Sequence, residues 1–82
     1  MGTEPSFGEK ACGVSFNPGG NEKLSKIKDA FANVVDILND YRDEVKQSKD
    51  DGGNGERIRM LSVAITEAQT AQMWGVKAVT WN

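Results

Sequence analysis

The stretch Arg59-Met-Leu-Ser-Val-Ala-Ile-Thr-Glu-Ala-Gln-Thr-Ala-Gln-Met-Trp-Gly-Val-Lys-Ala-Val79 decides the fold. On a helical period it puts Leu61, Ala64, Ala68, Ala71, Gly75 and Ala78 on one stripe, where a second helix could approach the backbone closely. A neighbouring stripe carries Arg59, Thr66, Gln69, Thr70, Met73 and Lys77. Exposed helix faces are ordinarily laced with Glu/Lys pairs. Hydroxyls and an amide between two cations suit instead a polyanion with hydrogen-bonding edges.

Working back from this helix, Ser48-Lys-Asp-Asp-Gly-Gly-Asn-Gly55 reads as a turn, and Asn54 offers an N-cap with Glu56 near the positive end of the helix dipole. Before the turn, Leu24, Ile27, Phe31, Val34 with Val35, Leu38, Tyr41 and Val45 recur close to a heptad seam. The spacing predicts a first helix over about residues 21–47, roughly 40 Å long, capped by Asn21, and a second over about 55–80. Residues 1–20 hold no helical period and read as a short extended arm, turning at Pro18-Gly-Gly20.

The expected fold is therefore all-α, one domain over residues 1–82, with an antiparallel two-helix hairpin behind an extended arm. A lone hairpin of this kind cannot cover both faces of its helices, and an 82-residue chain buries only roughly 60% of its unfolded surface. The apolar seam and the small-residue stripe are expected to pack against each other and against further copies, giving a homo-oligomeric helical bundle.

Composition narrows the function. With 38% hydrophobic and 27% charged residues and no long apolar run, no membrane span is expected. Nothing in Met1 to Lys10 marks secretion, so a cytoplasmic location is expected. A net charge of -2 speaks against a general DNA or RNA binder, which normally carries a basic excess. The single cysteine, Cys12, has no histidine to activate it and reads as a small buried apolar residue. Asp36, Asp40, Asp43 and Glu44 read as the solvated face of the first helix. The Asp50–Gly55 loop lacks the closing glutamate of a calcium loop, so neither a metal nor a cofactor is expected. Without histidine, phosphate loop or activated nucleophile, the chain is not expected to be an enzyme.

An antiparallel hairpin brings the end of the second helix back to the start of the first. Met73, Trp74, Lys77 and Trp81 should then lie near Lys26, Lys28 and the arm with Phe16 and Asn17. Aromatic faces stack on bases and cations hold phosphates, so this end suits a nucleotide. An apolar arm that simply covers the open end of the hairpin accounts for Phe16, Trp74 and Trp81 equally well. At the other end, Arg57 and Arg59 near a helix N-terminus could meet an anion, or could face Asp43 or Glu44 across the hairpin. Thr66, Gln69 and Thr70 fit either hydrogen bonds at a subunit interface or a ligand site.

Arg59, Ala64, Thr66, Gln69-Thr70, Met73 and Val76-Lys77-Ala78-Val79, with Ile27-Lys28, together resemble the phage anti-CBASS/anti-Thoeris cyclic-oligonucleotide sponge family. The resemblance implies a homohexamer of helical hairpins acting in the host bacterial cytoplasm. It would bind cyclic di- or trinucleotide messengers and withhold them from their effectors without degrading them. In the family an arm aromatic stacks on a base and a lysine of the first helix meets phosphate. Lys28 matches that lysine, and Phe16 is the nearest arm aromatic. Arg59 falls on the arginine of a second, trinucleotide pocket, with Thr66 close behind it. Together with the residues that the hairpin geometry and the polar stripe gather, Phe16, Asn17, Lys26, Lys28, Trp74 and Lys77 are expected to form one pocket and Arg59, Thr66, Gln69 and Thr70 another. The arm departs from the family, with Gly13-Val-Ser-Phe-Asn-Pro18 in place of a tyrosine-containing start, and Trp74 and Trp81 exceed the shared pattern. The reading from a different class is a structural oligomerisation or protein-interaction module without a small-molecule ligand.

Overall fold

A computed structural model describes residues 4–14, 20–48 and 53–81. Three helices follow in order: α1 (Phe7–Cys12), α2 (Glu22–Gln47) and α3 (Asn54–Val79). The long pair α2 and α3 forms the hairpin, and α1 lies mainly on α2, touching α3 at its C-terminal end. Among the described residues no helix is long and apolar enough to cross a membrane.

The helix α1 corrects the expectation of an extended arm. Six residues make less than two turns, too few for a hydrophobic period to register, and the segment is held by its ends instead. The Ser6 hydroxyl accepts from the Glu9 N–H while the Glu9 carboxylate accepts from the Ser6 N–H, a reciprocal capping box. At the other end Gly13 adopts φ 60°, and the N–H groups of Gly13 and Val14 bond back to the carbonyls of Lys10 and Glu9. Both signals, Ser-x-x-Glu and a following glycine, stand in the sequence.

Asn21 caps α2, accepting from the Leu24 N–H at 3.0 Å. Asn54 does not cap α3. Gly53 holds the N-cap position at φ 82°, where a residue with a Cβ would be strained, and Asn54 becomes the first helical residue. Its amide donates to the Val45 carbonyl at 3.4 Å, joining the two helices at the loop end.

The core lies where all three helices meet. Cys12, Ala32, Val35 and Ile65 are buried together, with Ala11, Val14, Phe31, Leu38 and Ala68 packed around them, and Val35 is fully enclosed. Gly8 sits so close to α2 that a Cβ there would lie 2.0 Å from the Ala32 carbonyl oxygen. The small-residue stripe of α3 divides. Leu61 is buried, Ala68 joins the core, and Gly75 lies against Ile27, whereas Ala71 and Ala78 are exposed.

The seam of α2 divides as well. Leu24, Val35 and Val45 are buried, but Val34 and Tyr41 are exposed, as is Ile37 outside the seam. At about 100° per residue these three fall on the flank opposite Ala32 and Asp36, the positions that carry α1. In α3, Met60, Ala71 and Ala78 likewise fall opposite Gln69, which reaches α1. One broad side of the hairpin is thus covered by α1, and the other is bare among the described residues and largely apolar.

Candidate functional site

The last turn of α1 is read by side chains from both long helices. Gln69 Nε2 donates to the Ala11 carbonyl at 3.3 Å, Gln72 Nε2 to the Cys12 carbonyl at 3.0 Å, and Lys28 Nζ to the Gly13 carbonyl at 3.0 Å. Helix C-termini leave carbonyls without intrahelical partners, and here two helices supply the donors. Lys28 and Gln72 are only 6% and 5% exposed, so their polar ends are enclosed with these partners. At the other end of α1, the Asp36 carboxylate accepts from the Ser6 hydroxyl and the Gly8 N–H, both at 2.7 Å. Asp36 therefore does not belong to a solvated acidic face as its sequence neighbours suggest. It anchors the N-terminus of α1, where a negative charge is favoured.

Between α1 and the hairpin lies an open cavity of about 380 Å³. Residues 10–13 form one wall, and Lys28, Gln72, Met73 and Val76 form the other. Cys12 lines it from within the core, as a buried thiol. Burial, and secondarily the Asp36 charge, push this thiol up from its ordinary range against the opposing pull of Lys28. It stays protonated at neutral pH.

The remaining candidates of the first pocket do not all converge here. Lys26 lines a separate groove with Lys23, Ile27, Gly75 and Ala78. Trp74 and Trp81 are 67% and 73% exposed, and Lys77 Nζ sits 5.6 Å and 5.8 Å from their ring centroids, a cation between two indoles. Met73 lines the cavity and Trp74 does not line it. Phe16 and Asn17 lie outside the described residues, which end at Val14 immediately beside the cavity wall and resume at Gly20.

The second set also separates. Arg59 forms a bidentate pair with Glu56, one turn back in its own helix, instead of facing Asp43 or Glu44. This bond holds the Glu56 carboxyl below its ordinary range and raises the arginine. Thr66 and Thr70 bond back to the carbonyls of Ser62 and Thr66, so the two hydroxyls already have partners within α3. Gln69 turns to α1 and leaves this group. Arg57 shares a small recess with Tyr41 and Glu44 at the loop end.

Two polar residues of consequence escaped the sequence reading. Gln72 carries no pattern that marks it as buried. Arg42 donates to Ser62 Oγ at 3.0 Å and Asn39 Oδ1 at 2.9 Å while its guanidinium lies 5.7 Å over the Phe7 ring. An arginine flanked by Asp40, Asp43 and Glu44 looks like one partner of a surface ion pair, and nothing local reveals the aromatic that meets it. Among the described residues no group of three metal-ligating side chains occurs.

A helical hairpin with a cavity walled by a short N-terminal segment, a buried lysine and polar side chains defines an all-helical hairpin module with one candidate binding cavity at the end of α1. Its family is plain: the chain belongs to the family described as Acb2/Tad1, hairpin domain, which it matches over residues 10–80. This is the anti-CBASS/anti-Thoeris sponge family, whose members bind ligands. The match contains the whole cavity wall, from Lys10 to Val76. No curated protein and no solved structure matches the chain.

Proposed function

We propose that this protein binds and sequesters cyclic di- or trinucleotide messengers of CBASS- or Thoeris-type defence, without degrading them, in the cytoplasm of the infected host. The observation that carries the reading is the cavity between α1 and the hairpin, lined by Lys10, Lys28 and Gln72 and lying inside the family match. Lysines supply charge-assisted hydrogen bonds to phosphate, Lys28 by exchanging its Gly13 carbonyl partner, and Phe16 and Asn17, which follow Val14 in the sequence, are proposed as stacking and hydrogen-bonding groups. Lys26, Trp74 and Lys77 extend the same end of the hairpin with cations and an indole face.

Arg59, Thr66, Gln69 and Thr70 are proposed for a second, trinucleotide pocket. In that role Arg59 would exchange its Glu56 partner for phosphate, and Thr66 and Thr70 would donate their hydroxyls outward. The assembly proposed is a homohexamer, supported by the bare flank with Val34, Ile37, Tyr41 and Met60, whose exposed apolar area suits contact between copies.

The same flank favours one second reading, an oligomerisation module with no ligand. Calorimetric titration with a panel of cyclic di- and trinucleotides separates the two. Micromolar or tighter binding that Lys28→Met abolishes supports the sponge; silence across the panel, with assembly intact, supports the module.

A further inference from the structure

The cavity exists only while α1 is seated, since residues 10–13 form one of its walls and none of them belongs to the hairpin. Beside the packing of Ala11 and Cys12 into the core, the seat is fixed by specific polar contacts and one close approach. Asp36 grips the first turn of α1 through Ser6 and Gly8, Gln72 grips its end through the Cys12 carbonyl, and Gly8 allows the helix to touch the Ala32 carbonyl. A helix of six residues has no stability of its own, so its order depends on these tertiary bonds.

We infer that Asp36 and Gln72 are positioning residues for ligand binding: they hold α1 in its seat and so create the cavity wall. The inference rests on the proposed sponge function. By linkage, a ligand that binds only the seated form must stabilise the seat, and weakening the seat must weaken binding by the fraction unseated. Asp36 lies outside the cavity lining, and Gln72, which lines it, acts through the Cys12 carbonyl that its amide already holds. Lys10, exposed on α1, becomes the natural reporter, because a lysine-specific protease cuts it only when the helix lifts and unwinds.

The test combines limited proteolysis, followed by mass spectrometry at Lys10, with calorimetry on the full chain and cyclic di- and trinucleotides as probes. For wild type, saturating ligand should slow Lys10 cleavage. Asp36→Ala, Gln72→Met and Gly8→Ala should each speed Lys10 cleavage and weaken ligand affinity about tenfold, with the helicity of α2 and α3 retained by circular dichroism. Asp36→Asn, which keeps one acceptor oxygen, should recover part of both effects. Faster Lys10 cleavage with unchanged affinity overturns the inference and leaves the sponge reading standing. A wild type that binds no member of the panel removes the sponge reading, and the inference with it. Should a variant lose the hairpin helicity as well, ligand protection of Lys10 in wild type still decides: its absence despite binding overturns the inference.

Discussion

Gln72 and Cys12 are linked across the fold: the side-chain amide of one donates to the main-chain carbonyl of the other at 3.0 Å, at a buried position where α3 meets the end of α1. Removing one partner of a buried hydrogen bond leaves the other unsatisfied, at a cost of about 1–3 kcal/mol. Gln72→Met is expected to lower the unfolding free energy by that amount, read as a shift in the urea midpoint at unchanged slope.

Gly8 offers a harsher test of the same joint. An alanine there would place its Cβ 2.0 Å from the Ala32 carbonyl oxygen, which is rigid backbone. Gly8→Ala is therefore expected to displace α1 and to cost about 1–3 kcal/mol. Thermal denaturation by circular dichroism should show a lower Tm with most helical signal kept, since α2 and α3 hold far more residues than α1.

How much of this was legible in the sequence depends on length scale. The hairpin was legible because each long helix repeats its apolar positions over many turns, so a few misassigned residues do not alter the period. The helix α1 carries its cap signals in the sequence, but six residues are too short for those signals to decide, and its seat also needs groups elsewhere in the chain, above all Asp36 and the close approach at Ala32. Asp36 looked solvated because Asp40, Asp43 and Glu44 follow it, and sequence spacing does not reveal that a separate helix docks on that flank. The split of the small-residue stripe has a similar origin: Ala71 and Ala78 differ from Ala68 and Gly75 by a rotation that only the packed pair defines. Of the pocket residues, Lys28 and Gln69 meet α1, while Lys26, Trp74 and Arg59 lie in separate surroundings, a division that helical periodicity alone does not supply.

The thiol of Cys12 gives a pH dependence with a definite sign. Burial raises its folded-state value above the ordinary 9.0, so folding favours the protonated form. Its contribution is fully present below the unfolded value and is lost as the pH rises through the folded one. Stability should accordingly fall in mildly alkaline solution, and Cys12→Ala should flatten that fall even though it lowers stability overall. Parallel urea titrations at neutral pH and above pH 9.0 check this.

Arg59 is paired with Glu56 on the exposed face of α3, so its loss should leave the melting temperature close to that of wild type. For a separate trinucleotide pocket, Arg59→Ala should abolish cyclic trinucleotide binding and spare cyclic dinucleotide binding. Equal losses of both ligands would argue for a single pocket.

The bare flank provides the test of assembly. Ile37 is 60% exposed beside Val34 and Tyr41, and a charge there would oppose burial against another copy. Wild type is expected to sediment as a closed oligomer and Ile37→Glu as a smaller species with unchanged helicity. A monomeric wild type at micromolar concentration would remove the homohexamer proposal.

Sequestration without degradation has its most direct measurement in ligand recovery. The protein is incubated with a cyclic di- or trinucleotide, freed of unbound ligand by filtration, then heat-denatured, and the released material is identified by chromatography. Recovery of the intact cyclic nucleotide in fixed proportion to protein is expected, with the amount reduced in Lys28→Met. Ligand that passes wholly into the filtrate, or returns as a linear product, would contradict a sponge.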